Sequence, residues 1–144
     1  MSRGYRDLIA WQRAMDLARK VYEITASFPL SERYCLSDQL KRSSISVPSN
    51  IAEGFGRISR GEYVQFLGHA RGSANEIETQ LLLAQSLGYG EEYQIVAAQK
   101  CCAEVGRLLN GLIQSLRPGS GSDSSRAARE RTVVPDGNGG HPCW

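Results

Sequence analysis

Apolar residues recur in steps of three and four along most of the chain. From Leu8 they stand at Leu8, Trp11, Met15, Ala18 and Tyr22, one face of a helix, with Leu17, Val21, Ile24 and Phe28 widening the stripe. Phe28-Pro29 predicts where this helix stops, because the residue before proline is pushed out of the α region. A second helical pattern spans about Leu36 to Gly54, with Leu40, Ser43 or Ser44, Val47, Ile51 and Phe55 on one side. Ser37 offers an N-cap, and Asp38 suits the first turn, where the helix dipole favours a negative charge. Pro48 removes a hydrogen bond to the carbonyl of Ser44, which predicts a kinked helix or two short ones.

The third helix is announced by Ser59-Arg60-Gly61-Glu62, a capping box in which the Ser hydroxyl and the Glu side chain each take an orphan N–H. Tyr63, Leu67, Ala70, Ala74, Ile77, Leu81 and Ala84 then follow at helical spacing, and Gly88 predicts the C-cap. The fourth helix runs from about Glu91 to Leu116 on Ile95, Ala98, Cys102, Val105, Leu109, Leu112 and Leu116, and Pro118-Gly119 stops it. Four amphipathic helices with short connections and no strand signal predict an all-α fold, an antiparallel up-down four-helix bundle over residues 1–117. Residues 118–144 hold five Gly, four Ser and three Pro without periodicity, which predicts a disordered tail.

Composition agrees with one packed domain. Hydrophobic residues are 41% and charged residues 22% of 144, enough for a core and too apolar for wholesale disorder. No apolar span approaches the ~20 residues of a transmembrane helix. The opening Met1–Asp7 has no apolar signal-peptide region behind it, so the expectation is a cytoplasmic protein with no membrane partner. Net charge is only +2, but residues 1–60 carry ten Lys/Arg against six Asp/Glu, while residues 61–117 carry four against six. The first half therefore permits a nucleic-acid face. Four cysteines, two of them adjacent at Cys101-Cys102 and none in a CxxC, argue for reduced thiols rather than a disulfide framework or zinc site.

Several segments together spell a known pattern. They are Tyr5-Arg6-Asp7-Leu8-Ile9-Ala10-Trp11-Gln12, Phe28-Pro29 with Glu32, and Gln39–Arg42 leading to Ser46-Val47-Pro48-Ser49-Asn50-Ile51-Ala52-Glu53-Gly54-Phe55-Gly56-Arg57. Ala70–Ser73, Glu76–Leu81 and Leu87-Gly88-Tyr89 continue it. Over about residues 5–117 the chain resembles the bacterial four-helix-bundle proteins named for open reading frames in 23S rRNA intervening sequences. The resemblance implies an up-down bundle that assembles into a homopentameric ring, and a role with rRNA or other nucleic acid. A related branch, the accessory variability determinants of diversity-generating retroelements, pairs such a ring with a reverse transcriptase. Gly68 and the glycine-rich tail depart from the pattern.

Candidate chemistry is sparse. Lys41, Arg42, Arg57 and Arg60 bracket the second helix and the turn into the third, and are the candidate nucleic-acid contacts. Arg42 also has a local partner in Asp38 and Arg57 one in Glu53, so phosphate contact and local pairing both stand open. Phe55 and Tyr63, the interleaved aromatics, read as core. Arg6, Arg13 and Lys20 alternate with Asp16 and Glu23, which reads as a solvated face. Asn50, Glu53, Ser73 and Glu76 read as a structural polar network between helices two and three, since unpaired charge near a packed surface costs several kcal/mol. Gly68 and Gly72 each cost ~1 kcal/mol against alanine, which calls for a close neighbour within the chain or in another subunit. His69 and Ser73 stand four apart without an orienting third group, the two Glu-x-x-His motifs of a di-iron bundle are absent, and Gly54-Phe55-Gly56 is no dinucleotide fingerprint. The expectation is a non-enzymatic protein without cofactor or metal. It binds nucleic acid or, alternatively, recruits a protein such as a reverse transcriptase.

Overall fold

The computed structural model describes residues 4–118. A single 3-10 turn, Tyr5–Asp7, leads into α1 (Ile9–Thr25), and a second, Leu30–Glu32, into α2 (Leu36–Phe55); α3 (Arg60–Ser86) and α4 (Glu92–Leu116) complete the chain. Successive helices pack against each other and α4 closes onto α1, an antiparallel up-down bundle with no strand among the described residues. The expected tail beyond Pro118, Cys143 included, lies outside the described residues.

The third helix follows the sequence pattern closely. Leu67, Ala70, Ala74, Ile77, Leu81 and Ala84 are its buried face. Ser59 Oγ accepts the Glu62 N–H at 3.1 Å, the Ser half of the expected capping box. At the other end Gly88 adopts φ +73°, its N–H donates to the Gln85 carbonyl, and the Tyr89 N–H donates to the Ala84 carbonyl at 2.9 Å. This pair of bonds is the Schellman arrangement, which wants glycine at the left-handed residue. Tyr89 is thereby turned back onto Phe28, with ring centroids 5.7 Å apart, and its hydroxyl donates to Glu32 at 3.2 Å.

Other expectations need correction. On α1 the buried face is Ala10, Ala14, Leu17, Val21 and Ile24, one residue out of step with the Leu8–Tyr22 stripe. Trp11, Met15 and Ala18 lie at the seam's edge, and Tyr22 is exposed. Periodicity alone cannot choose between two adjacent stripes. Packing takes the one whose small and branched side chains let helices approach, and leaves the long aromatics at the rim. On α4, likewise, Ile113 is buried where Leu112 and Leu116 are only half-buried. Helix α1 ends at Thr25, three residues before Phe28-Pro29.

Of the two forms expected around Pro48, one kinked helix or two short ones, the chain takes the single helix: α2 runs through Pro48 as one element. The lost bond to Ser44 is one among many, and Leu40, Val47 and Ile51 on either side are fully buried. Cys35, not Ser37, occupies the N-cap; Ser37 lies inside the first turn, buried, with its hydroxyl unpartnered. Where α2 ends, Gly54 lets α3 come close: a Cβ at Gly54 would stand 2.7 Å from Phe66 Cβ and 3.1 Å from Tyr63 Cδ2. Gly68 and Gly72 have nothing within 4 Å of such a Cβ, so no neighbour among the described residues offsets their cost.

Candidate nucleic-acid interface

The up-down topology gathers four helix termini at each end of the bundle. The start of α1, the end of α2, the start of α3 and the end of α4 share one end. Cross-bundle contacts set the level of each helix: Arg13 with Glu104, Arg71 with Asn110, and Ser46 with Ser73. The half containing this end holds seven arginines (6, 13, 57, 60, 71, 107 and 117) against four carboxylates, a net +3. The opposite half holds six basic residues against eight carboxylates, a net −2. A nearly neutral described chain is thus polarised along its length.

At the arginine end the close approach at Gly54 stacks aromatics from both helices. Phe55 meets Tyr63 edge-on at 6.0 Å, and Phe66 meets His69 edge-on at 6.0 Å. The Arg57 guanidinium lies over the Phe66 ring, 4.6 Å from its centroid, and donates to Glu53 Oε1 at 2.8 Å. Arg57 is therefore held by two contacts, with its side chain still 42% exposed. Arg60, one turn away at the start of α3, forms no ion pair among the described residues. Phe55 is exposed, contrary to its expected place in the core, and Ile58 in the turn is fully exposed. The reason is geometric: Phe55 is the last residue of α2, one past the point where Gly54 meets α3, so its ring packs on Tyr63 at the rim of the bundle and not inside it. Tyr63 is half-buried, and burial pushes its hydroxyl pKa up.

The other two candidate cations stand elsewhere. Lys41 and Arg42 lie about 20 Å, at 1.5 Å per residue, from the end of α2 that Arg57 follows. The Lys41 ammonium sits 5.4 Å over the Tyr22 ring, and Arg42 donates to Asp38 at 2.9 Å. The structure brings Arg57 and Arg60 together and leaves Lys41 and Arg42 in the acidic half. Arg13, from the stripe read as a solvated face, is tied to Asp16 and Glu104, each at 3.1 Å, which raises its pKa.

The polar residues join α2 to α3 by side chains the sequence reading passed over. Asn50 Nδ2 donates to the Ser46 carbonyl at 2.8 Å and to Ser46 Oγ at 2.9 Å, and Ser46 Oγ meets Ser73 Oγ at 2.8 Å. Ser43 donates to Glu76 at 3.1 Å. Glu53 does not take part, because it pairs with Arg57 in the turn just after α2. Ser73 turns to α2 while exposed His69 packs on Phe66, so the two face different neighbours. Among the described residues no group of three or more His, Cys, Asp or Glu could hold a metal ion. No helix among them is long and apolar enough to cross a membrane.

Comparison with known proteins agrees with this architecture. A family model described as 23S rRNA-intervening sequence protein matches residues 6–111. Among solved structures, a protein of unknown function from the S23 ribosomal protein family of Bacteroides thetaiotaomicron superposes with a TM-score of 0.67. Its identity to this chain is 25%, over 73% of this chain and 98% of its own. No curated protein matches.

Proposed function

Because the chain belongs to the family of 23S rRNA-intervening sequence proteins, we propose that it is a non-enzymatic, cytoplasmic RNA-binding bundle that works as a homo-oligomer. The arginine end is its binding face. One observation carries this reading: Arg57, preset between Glu53 and Phe66, stands beside Arg60 and the exposed Phe55 and Ile58. Unpaired bases stack on aromatic rings and guanidinium planes while phosphates take the cations, and this end offers both. Assembly is supported by α3, whose outward side leaves Leu82 and Leu83 exposed and Gly68 and Gly72 bare. A second copy there would cover them, and the resemblance to ring-forming proteins makes a pentamer the specific form. A ring repeats Arg57 and Arg60 in each subunit, so modest contacts act together.

The test is a fluorescence-anisotropy titration of labelled polyuridine against the protein over a series of salt concentrations. Wild type binds at low salt and weakens steeply as salt rises. Arg57→Ala/Arg60→Ala reduces affinity and flattens the salt dependence, while Lys41→Ala changes neither. Binding untouched by the double substitution contradicts the assigned face. No binding at low salt contradicts RNA binding altogether and favours a protein-recruiting scaffold, such as a reverse-transcriptase accessory.

A further inference from the structure

A groove of about 800 Å³ runs between α1 and α4, on the side of the bundle rather than at its end. Its charges are unevenly engaged. Asp16 accepts from both Arg13 and Arg19 at 3.1 Å, and Arg13 reaches across the groove to Glu104 at 3.1 Å. Two of the three carboxylates lining it are thereby neutralised. Lys20 on α1 and Lys100 and Arg107 on α4 line the same groove with no acceptor among the described residues. Three unengaged cations face one unengaged carboxylate, Glu23, which lies toward the acidic end.

The spacing suits a linear anion. Lys100 and Arg107 are seven residues apart on one face of α4, about 10 Å along the axis, with Lys20 on the opposite wall. Packed helix axes stand about 8–10 Å apart, so the furrow between two of them admits one extended strand and not a duplex. Small residues on its walls, Ala97 and Ala103, leave it open, and Arg107 lies in the half that carries the arginine end. None of this is visible in sequence, where Lys20 and Lys100 are 80 residues apart.

We infer that the α1–α4 groove holds the sugar–phosphate backbone of a single RNA strand, with Lys20, Lys100 and Arg107 on its phosphates. The inference rests on the RNA-binding reading above and extends the contact from the arginine end along the side of the bundle.

The experiment compares wild type, Lys20→Gln/Lys100→Gln/Arg107→Gln and Arg57→Gln/Arg60→Gln for binding a labelled 20-mer of uridine between 50 and 200 mM salt. Unlabelled single-stranded and duplex RNA of equal length serve as competitors. The groove variant is expected to bind about tenfold more weakly at 50 mM, with a salt slope lower by roughly 2, since each phosphate contact on a single strand contributes about 0.7. Duplex is expected to compete poorly. Helical circular dichroism checks folding, and Lys100→Gln alone, at an exposed helix position, gives the same direction of change if the triple variant unfolds. A folded groove variant with wild-type affinity and slope, beside a weakened Arg57→Gln/Arg60→Gln, overturns the groove and leaves the arginine end standing. Duplex competing as well as single strand also overturns the groove. Failure of wild type to bind at 50 mM salt overturns both.

Discussion

Gly54 sets the distance between α2 and α3, and that distance creates the aromatic–arginine cluster beyond it. Because an added Cβ would meet Phe66 Cβ at 2.7 Å, an atom fixed to its backbone, Gly54→Ala forces the helices apart. Overpacking of this kind costs ~1–3 kcal/mol, so the urea midpoint should fall with the slope unchanged. An unshifted midpoint would show the approach is slack. A second residue makes a pH prediction. Burial, reinforced by Glu78, pushes the Cys102 thiol up to about 12 from an ordinary value near 9, and its sulfur lies 3.2 Å from the Ala74 carbonyl. The native state keeps a proton that the unfolded chain releases first. This contribution is complete below about pH 9 and is lost as pH rises toward 12. Urea midpoints at about pH 8 and pH 10.5 should drop more for wild type than for Cys102→Ala; equal drops would contradict the assignment. The caps at Ser59 and Gly88 were legible because a cap depends on its own few residues. Phe55 and Ser46 were not, because exposure and partnership depend on where the neighbouring helix lies.

At the scale of elements, α3 and α1 show what a hydrophobic pattern carries. Helix α3 has a single continuous stripe, and that stripe is its buried face. Helix α1 has two adjacent stripes at the same period, and only packing against α2 and α4 selects between them. The selection is measurable. Leu17→Ala, at a fully buried position, should cost ~2–5 kcal/mol, whereas Met15→Ala at the seam's edge should cost clearly less. Comparable losses in urea unfolding would restore the Leu8–Tyr22 stripe as the seam. The correction also bears on assembly. Leu17, Val21 and Ile24 look surplus to a narrow seam in the sequence, yet they are consumed inside the bundle and offer nothing to another subunit. The proposed assembly rests instead on residues that stay exposed, Leu82 and Leu83 on the outward side of α3. Pro48 teaches a related lesson: a rule that removes one backbone bond does not divide a helix whose flanks are both buried.

Over the whole molecule, topology turns a weak net charge into a polar body. The excess of basic residues in the first half of the chain is not by itself a basic face, because α1 and α2 run in opposite directions and each passes from one half of the bundle into the other. Folding back sorts the charges by end, placing Arg57 and Arg60 with Arg107 and Arg117 and leaving Lys41 and Arg42 among carboxylates. Half of the sequence-nominated cations therefore lie at the proposed face. The aromatic partner that holds Arg57, Phe66, was missed, since it is nine residues away and meets Arg57 only through the turn. Binding of RNA at the arginine end is most directly tested by photocrosslinking 4-thiouridine-substituted RNA to the full-length protein and mapping the adducts by mass spectrometry. Adducts are expected within residues 53–69, at Phe55, Phe66 or their neighbours. Adducts confined to the half that carries Lys41 and Arg42, or none in 53–69, would contradict it.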